Sequence, residues 1–211
     1  MVDMRAIIFD LDGVIVSTDE QHYLAWKALS NKLGIPFDRT VNNRFRGVSR
    51  MDCMNILAEI GKKSFTDEEK LEYATWKNEL YREYLAEMSE KDLDPEVKEI
   101  LDALRKKGIL LAIGSSSKNA KFILDRLGLG DYFDAVSDGT NITRSKPDPE
   151  VFLKAAEMLS VAPEDCLVVE DALSGVEAAK RAKMKVATVG DAAEKHCGNY
   201  ILKRFSDLLY V

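Results

Sequence analysis

The sequence predicts an α/β fold, with a Rossmann-like core of parallel strands covered by helices on both faces and a small inserted α-helical cap domain. The apolar run 6–9 ends in acidic residues and glycine, as expected of a strand buried on both faces of a parallel sheet. Residues 15–88 then show helical patterns with no strand between them, whereas helix and strand patterns alternate from about residue 89. These observations assign 1–14 and 89–211 to the core and 15–88 to the cap.

The cap is predicted to contain three helices. The first covers about 17–33 and ends before a glycine, and the second follows a basic turn within 40–60. The third extends to about residue 88 and begins after Thr66, which can form a capping box with Glu69. The apolar residues at helical spacing are Tyr23, Trp26, Leu29 and Leu33 in the first helix and Cys53, Met54, Leu57 and Ile60 in the second.

The core elements alternate in order along the chain. Glycines close two of the helices, and an apolar run bounded by turn residues predicts each strand. The predicted helices are 96–107, 120–127, 150–159, 174–182 and a last helical piece at 205–210; the predicted strands are 109–114, 133–136, 166–169 and 185–190. The polar signals all follow strand ends.

Composition excludes several classes of function. The chain has 211 residues, of which 46% are hydrophobic and 31% charged, and its net charge is -6. This balance is typical of a soluble globular protein and gives no support to binding of nucleic acid or a membrane surface. The first residues show no signal-peptide pattern, and three widely spaced cysteines fit a reducing compartment better than disulfides or a zinc site. We therefore expect a cytoplasmic monomer.

Two carboxylates, Asp10 and Asp12, directly follow the first strand. In open α/β sheets, ligands collect outside the carboxyl ends of the strands, so both side chains should project into the active crevice. Residues two apart in near-extended backbone can point the same way, and close carboxylates repel each other, which favours a bound cation. One carboxylate oxygen can then serve as a nucleophile or a base. An exposed turn after a strand is the alternative explanation for this stretch alone.

Three further polar signals follow later in the chain. Ser115 lies just past the strand 109–114, where its hydroxyl and nearby backbone N–H groups suit a phosphate oxygen, although a turn or a helix cap would look the same. Lys146 is constrained by the proline-rich helix start that follows it. Glu170 and Asp171 follow the strand 166–169 and offer the hard oxygen ligands that Mg²⁺ prefers, although such a pair is also common at helix N-termini.

These four segments, in this order, resemble the motifs of the haloacid dehalogenase superfamily, and the resemblance covers the whole chain. It implies that Asp10 is a nucleophile that takes a phosphoryl group and that Asp12 acts as acid and base. Lys146 would neutralise the charge on the nucleophilic carboxylate and on the transferring phosphoryl group. Ser115 would bind a phosphate oxygen. The implied Mg²⁺ ligands are Asp10, Glu170, Asp171 and the backbone carbonyl of Asp12. A second acid favours phosphoryl transfer over dehalogenation, because only the former must protonate a leaving oxygen.

The predicted cap and one core loop resemble the β-phosphoglucomutase family in particular, which interconverts β-glucose 1-phosphate and glucose 6-phosphate through a bound glucose bisphosphate. The segments that carry this resemblance are 18–26, 47–50, 76–78 and 115–119. By resemblance, Thr18 and His22 control the position of the Asp12 carboxyl as the cap opens and closes. The implied substrate-binding residues are Thr18, His22, Trp26, Arg46, Gly47, Arg50, Lys77, Ser116, Ser117, Lys118 and Asn119.

Simpler explanations exist for several cap residues. Thr18 can be a helix cap, His22 a partly exposed helical residue and Lys77 part of a solvated helix face. Arg50 is the best candidate for a bidentate phosphate clamp. Arg46 departs from the family, which usually carries lysine there. A planar guanidinium replaces a compact ammonium, so contacts with the sugar are expected to differ.

The predicted activity is therefore that of a Mg²⁺-dependent β-phosphoglucomutase acting on a small sugar phosphate. The alternative enzyme is a Mg²⁺-dependent phosphatase of sugar phosphates or related phosphate monoesters, since a cap that admits water to the aspartyl-phosphate would release inorganic phosphate. From another class, the protein could be an inactive phosphate-binding module. The presence of every core catalytic residue type argues against that reading.

Overall fold

The computed structural model describes residues 4–45 and 48–211. The chain divides into two compact units. The sheet unit comprises Met1–Ser17 with Met88–Val211, and the helical unit comprises Thr18–Glu87. These divisions fall a few residues from the predicted boundaries. Two predicted site residues, Arg46 and Gly47, lie outside the described residues.

The described part of the sheet unit forms a six-stranded sheet in which every recorded strand pair is parallel. The strands are β1 (Ala6–Phe9), β2 (Leu110–Gly114), β3 (Ala135–Ser137), β4 (Cys166–Glu170), β5 (Lys185–Thr188) and β6 (Tyr200–Ile201). Their spatial order is β3-β2-β1-β4-β5-β6. This order, with its helical connections, confirms the predicted Rossmann-like α/β class.

The register of the central strands determines where the candidate site lies. Phe9 of β1 pairs with Ile113 of β2 on one side and with Val169 of β4 on the other. The residues that follow each of these three positions therefore emerge at one edge of the sheet. Asp10 and Glu170 both stand at this edge, although the sequence places them far apart.

Helices and apolar side chains cover the sheet on both faces. The helices of this unit are α5 (Pro95–Lys106), α6 (Ala120–Arg126), α7 (Glu150–Leu159), α8 (Leu173–Arg181) and α9 (Gly190–Glu194), with 3-10 helices at Glu90–Asp92, Pro163–Asp165 and Phe205–Tyr210. Ile8 joins an apolar cluster with Phe152 of α7 and Val176 of α8, whereas Phe9 contacts the ring of Phe205. Alternate residues of β1 thus face opposite layers.

The helical unit contains α1 (Asp19–Leu33), α2 (Arg39–Asn43), α3 (Arg50–Gly61) and α4 (Asp67–Ala86). Both α1 and α3 pack against α4. The predicted capping box is present, because Thr66 Oγ1 accepts a hydrogen bond from the N–H of Glu69 and the Glu69 carboxylate accepts one from the N–H of Thr66. The buried apolar cluster consists of Trp26, Leu29, Ile35, Phe37, Phe45, Cys53, Met54, Leu57 and Ala74.

Several short elements differ from the prediction. Helix α2 was not predicted because five residues are too few to show helical periodicity; Asp38 starts it by accepting a hydrogen bond from the N–H of Val41 at 2.8 Å. The strand predicted at 185–190 ends at Thr188, since Gly190 begins α9. In the ranges that the structure describes, every helix is too short or too polar to cross a bilayer.

Candidate active site

The ammonium of Lys146 lies between two carboxylates of the sheet unit. Its Nζ is 2.5 Å from Asp10 Oδ1 and 2.6 Å from Glu170 Oε1. The side chains of all three residues are nearly buried, with exposed fractions of 9% for Lys146, 11% for Asp10 and 1% for Glu170. Because water is largely excluded, these contacts are stronger than the same pairs would be at the surface.

Backbone interactions hold both carboxylates in place. The N–H of Asp10 donates to Val169 O at 2.9 Å, so the parallel pairing of β1 with β4 continues one residue past the strand. Glu170 Oε2 accepts a hydrogen bond from the N–H of Ala172 at 2.9 Å. Gly175 of α8 makes room for the same carboxylate, because a Cβ at that position would lie 1.7 Å from Glu170 Oε1.

The loop that carries Lys146 leads directly into α7. The bond between Lys146 and Pro147 is cis, and Asp148 Oδ1 accepts a hydrogen bond from the N–H of Glu150 at the start of the helix. The Lys146 ammonium also lies 4.7 Å from the centre of the Phe152 ring, which gives it a cation–π contact. Ser116 Oγ accepts the N–H of Lys146 at 3.4 Å, which ties this loop to the segment after β2.

That segment, 115–119, is built from successive side-chain-to-backbone hydrogen bonds. Ser115 is 3% exposed, and its Oγ accepts the N–H of Ser117 at 3.1 Å. Ser117 Oγ in turn accepts the N–H of Asn119 at 3.1 Å. Lys118 is exposed, whereas Asn119 is buried. Because Ser115 directly follows β2, which pairs with β1, it lies at the edge of the sheet that also carries Asp10.

Asp12 and Asp171 are the two remaining acids of this edge. Asp12 is half-buried on the turn after β1, where it forms an isolated bridge with Val16 and the N–H of Gly13 donates to Val16 O at 2.8 Å. Gly13 has a φ of +84°, and a Cβ there would lie 2.2 Å from Asp171 Oδ2. Glycine is therefore required both for the turn and for the close approach of Asp171.

Burial of so many charges shifts their pKa values. Burial raises the pKa of Asp10 although Lys146 opposes this effect, and burial followed by the charge of Glu170 raises the pKa of Asp171 to about 7. Although its own burial acts in the opposite direction, Lys146 has a raised pKa because of Asp10 and Glu170. The site thus holds more negative charge than one lysine can neutralise, so a bound cation would stabilise it.

The helical unit brings together a second group of predicted site residues. Lys77 of α4 is 3% exposed, and its Nζ lies 2.9 Å from His22 Nδ1 of α1. The same ammonium lies 5.0 Å from the ring centre of Trp26. Trp26 itself is only 3% exposed and packs edge-on against Phe45, so it forms part of the apolar cluster of this unit.

Arg50 and Thr18 complete this group. Arg50 begins α3, and its Nη2 donates to Asn78 Oδ1 at 2.8 Å. Thr18 stands at the N-terminus of α1, and its hydroxyl bonds to that of Tyr81 at 2.8 Å rather than capping the helix. Burial, then the charges of Lys77 and Arg50, hold the pKa of His22 well below its ordinary value. The helical unit therefore carries two cationic side chains close to a neutral imidazole.

Residues 4–183 match the haloacid dehalogenase-like hydrolase family. The chain belongs to this family. A β-phosphoglucomutase of Bacillus subtilis is 40% identical over 207 residues, which are 97% of this chain and 92% of that protein. A phosphorylated carbohydrates phosphatase of Thermotoga maritima is 35% identical, with 85% of this chain and 82% of that protein aligned. A crystal structure of β-phosphoglucomutase from Clostridium difficile matches with a TM-score of 0.89 at 36% identity, covering 97% of this chain and 93% of that one.

Haloacid dehalogenase-like enzymes typically use Mg²⁺, and the residues of this chain fit that ion. One carboxylate oxygen each from Asp10, Glu170 and Asp171 lie within 4.8 Å of one another. Three hard oxygen donors match the preference of Mg²⁺, which usually keeps water and phosphate oxygens among its remaining ligands. The predicted fourth ligand, the backbone carbonyl of Asp12, stays a prediction.

Sequence reasoning missed two polar residues of this haloacid dehalogenase-like chain. Tyr81 lies one helical turn after Lys77, and that spacing of four is the signal that could have linked them. Asp138 follows β3 and is fully buried; Oδ1 accepts hydrogen bonds from Thr140, whereas Oδ2 has no hydrogen-bond partner among the described residues. Nothing in the sequence around Asp138 distinguishes it from an ordinary turn residue.

Proposed function

We propose that this haloacid dehalogenase-like protein is a β-phosphoglucomutase that interconverts β-glucose 1-phosphate and glucose 6-phosphate. The observation that carries the proposal is the contact of the Asp10 carboxylate with the Lys146 ammonium. A second acid, Asp12, lies two residues after Asp10 in the sequence. A nucleophile beside a neutralising ammonium, followed by an acid–base group, is the set that phosphoryl transfer needs. The 40% identity to the Bacillus subtilis β-phosphoglucomutase supports the sugar phosphate as substrate.

In the proposed reaction, Asp10 carries the phosphoryl group as an aspartyl-phosphate. The free hydroxyl of the sugar monophosphate attacks phosphorus, the bond from phosphorus to Asp10 breaks, and Asp12 takes the hydroxyl proton. The resulting glucose 1,6-bisphosphate reverses its orientation. Asp10 then attacks the other phosphoryl group, and Asp12 returns its proton to the sugar oxygen that leaves.

The remaining residues of the sheet unit assist by positioning and by electrostatics, which are the main sources of catalysis in phosphoryl transfer. Lys146 opposes the negative charge on Asp10 and on the transferring group. Ser115 offers its hydroxyl to a phosphoryl oxygen. Mg²⁺ held by Asp10, Glu170 and Asp171 would supply further neutralisation of the phosphoryl oxygens.

In the helical unit, Arg50 and Lys77 are the groups suited to an anionic sugar. Arg50 can bind the phosphate that is not being transferred through two parallel N–H groups, whereas Lys77 is a compact donor suited to sugar oxygens. Asn78 already orients the Arg50 guanidinium through the 2.8 Å hydrogen bond. Arg46, Gly47 and the segment 116–119 complete the proposed substrate contacts.

A sugar-phosphate phosphatase is the second candidate function, because the Thermotoga maritima relative at 35% identity is a phosphorylated carbohydrates phosphatase. The two enzymes differ in the acceptor that takes the phosphoryl group from Asp10. A mutase passes it to a sugar hydroxyl, whereas a phosphatase passes it to water. The ratio of isomerised sugar to inorganic phosphate separates them.

The test is to incubate the protein with Mg²⁺, β-glucose 1-phosphate and a trace of glucose 1,6-bisphosphate. Phosphorus nuclear magnetic resonance then measures glucose 6-phosphate and inorganic phosphate together. Stoichiometric glucose 6-phosphate with little inorganic phosphate is the expected result. Inorganic phosphate without glucose 6-phosphate would show that the protein is a phosphatase and not a mutase. Asp10→Asn should abolish both products, whereas Lys180→Met, on the exposed surface of α8, should leave the rate unchanged. Activity that survived Asp10→Asn would exclude both enzymes.

A further inference from the structure

Tyr81 links the polar residues of the helical unit. The side chain is 1% exposed, and its hydroxyl lies 2.8 Å from Thr18 Oγ1. Its ring stacks on the imidazole of His22, with 4.1 Å between ring centres and 25° between ring planes. The Lys77 ammonium lies 4.4 Å from the centre of the same ring. One tyrosine therefore contacts three residues that sequence analysis assigned to the site.

The contact between Lys77 and His22 defines the protonation of the imidazole. An ammonium has three donors and no acceptor, so the 2.9 Å contact requires Nδ1 of His22 to accept a hydrogen bond. A neutral imidazole whose Nδ1 accepts carries its proton on Nε2. His22 therefore presents a single N–H donor, directed away from Lys77.

We infer that Tyr81 is a positioning residue that keeps His22 neutral, with its proton on Nε2, by covering the imidazole and the Lys77 ammonium together. The ring removes water from one face of the imidazole, so a second positive charge beside Lys77 would gain little solvation. The hydroxyl of Tyr81 bonds to Thr18, while the ring itself covers the imidazole by stacking on it. The catalytic consequence rests on the proposed function: the Nε2–H group of His22 would serve the mutase reaction as a hydrogen-bond donor in a fixed position.

The charges around the imidazole agree with this assignment. Lys77 and Tyr81 face His22 from α4, and Arg50 acts on it from α3. Lys77 and Arg50 are both cationic, so each disfavours a protonated imidazole. Burial is the largest cause of the lowered pKa of His22, and Tyr81 supplies part of that burial.

Nuclear magnetic resonance on the full chain tests the inference without any substrate. The chain has two histidines, His22 and His196, so His196→Asn assigns both sets of imidazole signals. In the unaltered protein, the nitrogen shifts of His22 should show the Nε2–H tautomer. Tyr81→Leu should raise the His22 pKa by at least one unit, whereas Tyr81→Phe, which keeps the ring, should leave it nearly unchanged. Tyr84→Phe removes a hydroxyl from the next turn of α4 and should change nothing.

A second variant covers the case in which Tyr81→Leu does not fold. Lys77→Met removes the ammonium but keeps most of the stem, so His22 should become a mixture of both tautomers. An Nδ1–H tautomer in the unaltered protein, or an unchanged His22 titration in folded Tyr81→Leu, would overturn the inference.

Kinetics separates the inference from the proposed function. Tyr81→Leu should lower kcat at least tenfold with little change in KM, because substrate contacts remain while the imidazole donor is no longer held in one position and one protonation state. Normal kcat in folded Tyr81→Leu would contradict the positioning role. Absence of mutase activity in the unaltered protein, with the expected tautomer present, would instead contradict the proposed function and leave the state of His22 established.

Discussion

Asp10 and Lys146 are separated by 136 positions in the sequence, and their side chains lie 2.5 Å apart. Three parallel strands produce this contact, because β2, β1 and β4 end at one edge and the loop before α7 reaches back over it. The pair is nearly buried, so each charge depends on the other for stabilisation. Removal of either partner should therefore affect both stability and activity.

Lys146→Met should reduce kcat at least 100-fold, since a preorganised charge at the transferring group is worth roughly 10²–10³ in rate. It should also lower the free energy of unfolding at about pH 8 by about 3 kcal/mol, because a buried carboxylate loses its partner. Steady-state kinetics and urea titration measure the two effects. Lys180→Met is the matched control and should change neither. A Lys146→Met variant that keeps half of its kcat would refute the proposed role.

Gly175→Ala should damage the site although alanine favours a helix by about 1 kcal/mol. The new Cβ would lie 1.7 Å from Glu170 Oε1, so Glu170 must move away from Lys146. We expect kcat/KM to fall at least 100-fold and the free energy of unfolding to fall by about 2 kcal/mol, as for other overpacked sites. Ser174→Ala, on the same helix, should leave both quantities unchanged. An unchanged kcat/KM in Gly175→Ala would mean that catalysis does not require the Glu170 carboxylate in its position beside Lys146.

Mg²⁺ should bind more tightly as the pH rises from about 6 to about 8. Asp171 has a pKa of about 7 and Asp10 a raised pKa, so below these values protons occupy the oxygens that the ion needs. Each pH unit below the pKa of a required ligand weakens binding roughly tenfold. Calorimetry at the two pH values measures the affinity, and buffers of different ionisation enthalpy reveal the released protons. Equal affinity at both pH values would show that these carboxyls do not bind the ion.

Thr66→Ala should lower the free energy of unfolding of the helical unit by about 1 kcal/mol, because the N–H of Glu69 loses its acceptor at the start of α4. Both tryptophans of the chain, Trp26 and Trp76, belong to this unit, so their fluorescence during urea unfolding reports on it selectively. Thr75→Ala, inside the same helix, should leave stability equal or slightly higher. Equal unfolding midpoints for Thr66→Ala and the unaltered chain would remove the capping box as a stabilising feature.

The sequence was sufficient to predict strands β1 to β5 and the acidic edge because these depend on local signals, whereas β6, with two residues, is too short to show a strand pattern. The strands are predicted from short apolar runs such as 6–9 and 166–169, and in parallel sheets the residue after such a run lies at the edge where ligands bind. Asp10 and Glu170 could be assigned to one edge for this reason. Their 2.5 and 2.6 Å contacts with Lys146 could not, because loop conformation sets them.

The network around Tyr81 shows where sequence reasoning reached its limit. Thr18 and His22 are four residues apart on α1, and so are Lys77 and Tyr81 on α4, so each pair shares a helix face. Which faces of two helices meet depends on packing of the whole apolar cluster. Helices α2 and α9 were missed for a different reason, since five residues do not complete enough turns to show a period.

The position of β1 at the centre of the sheet has a consequence for synthesis of the chain on the ribosome. Ala6 is made before the helical unit, yet its partners Leu110 and Cys166 are made after that unit. The helical unit is contiguous, so all its contacts become available as soon as Glu87 is made. We expect the nascent chain to hold β1 as an unpaired apolar strand until β2 is made, and paired on one side alone until β4 follows, so the growing chain exposes a segment that chaperones can shield.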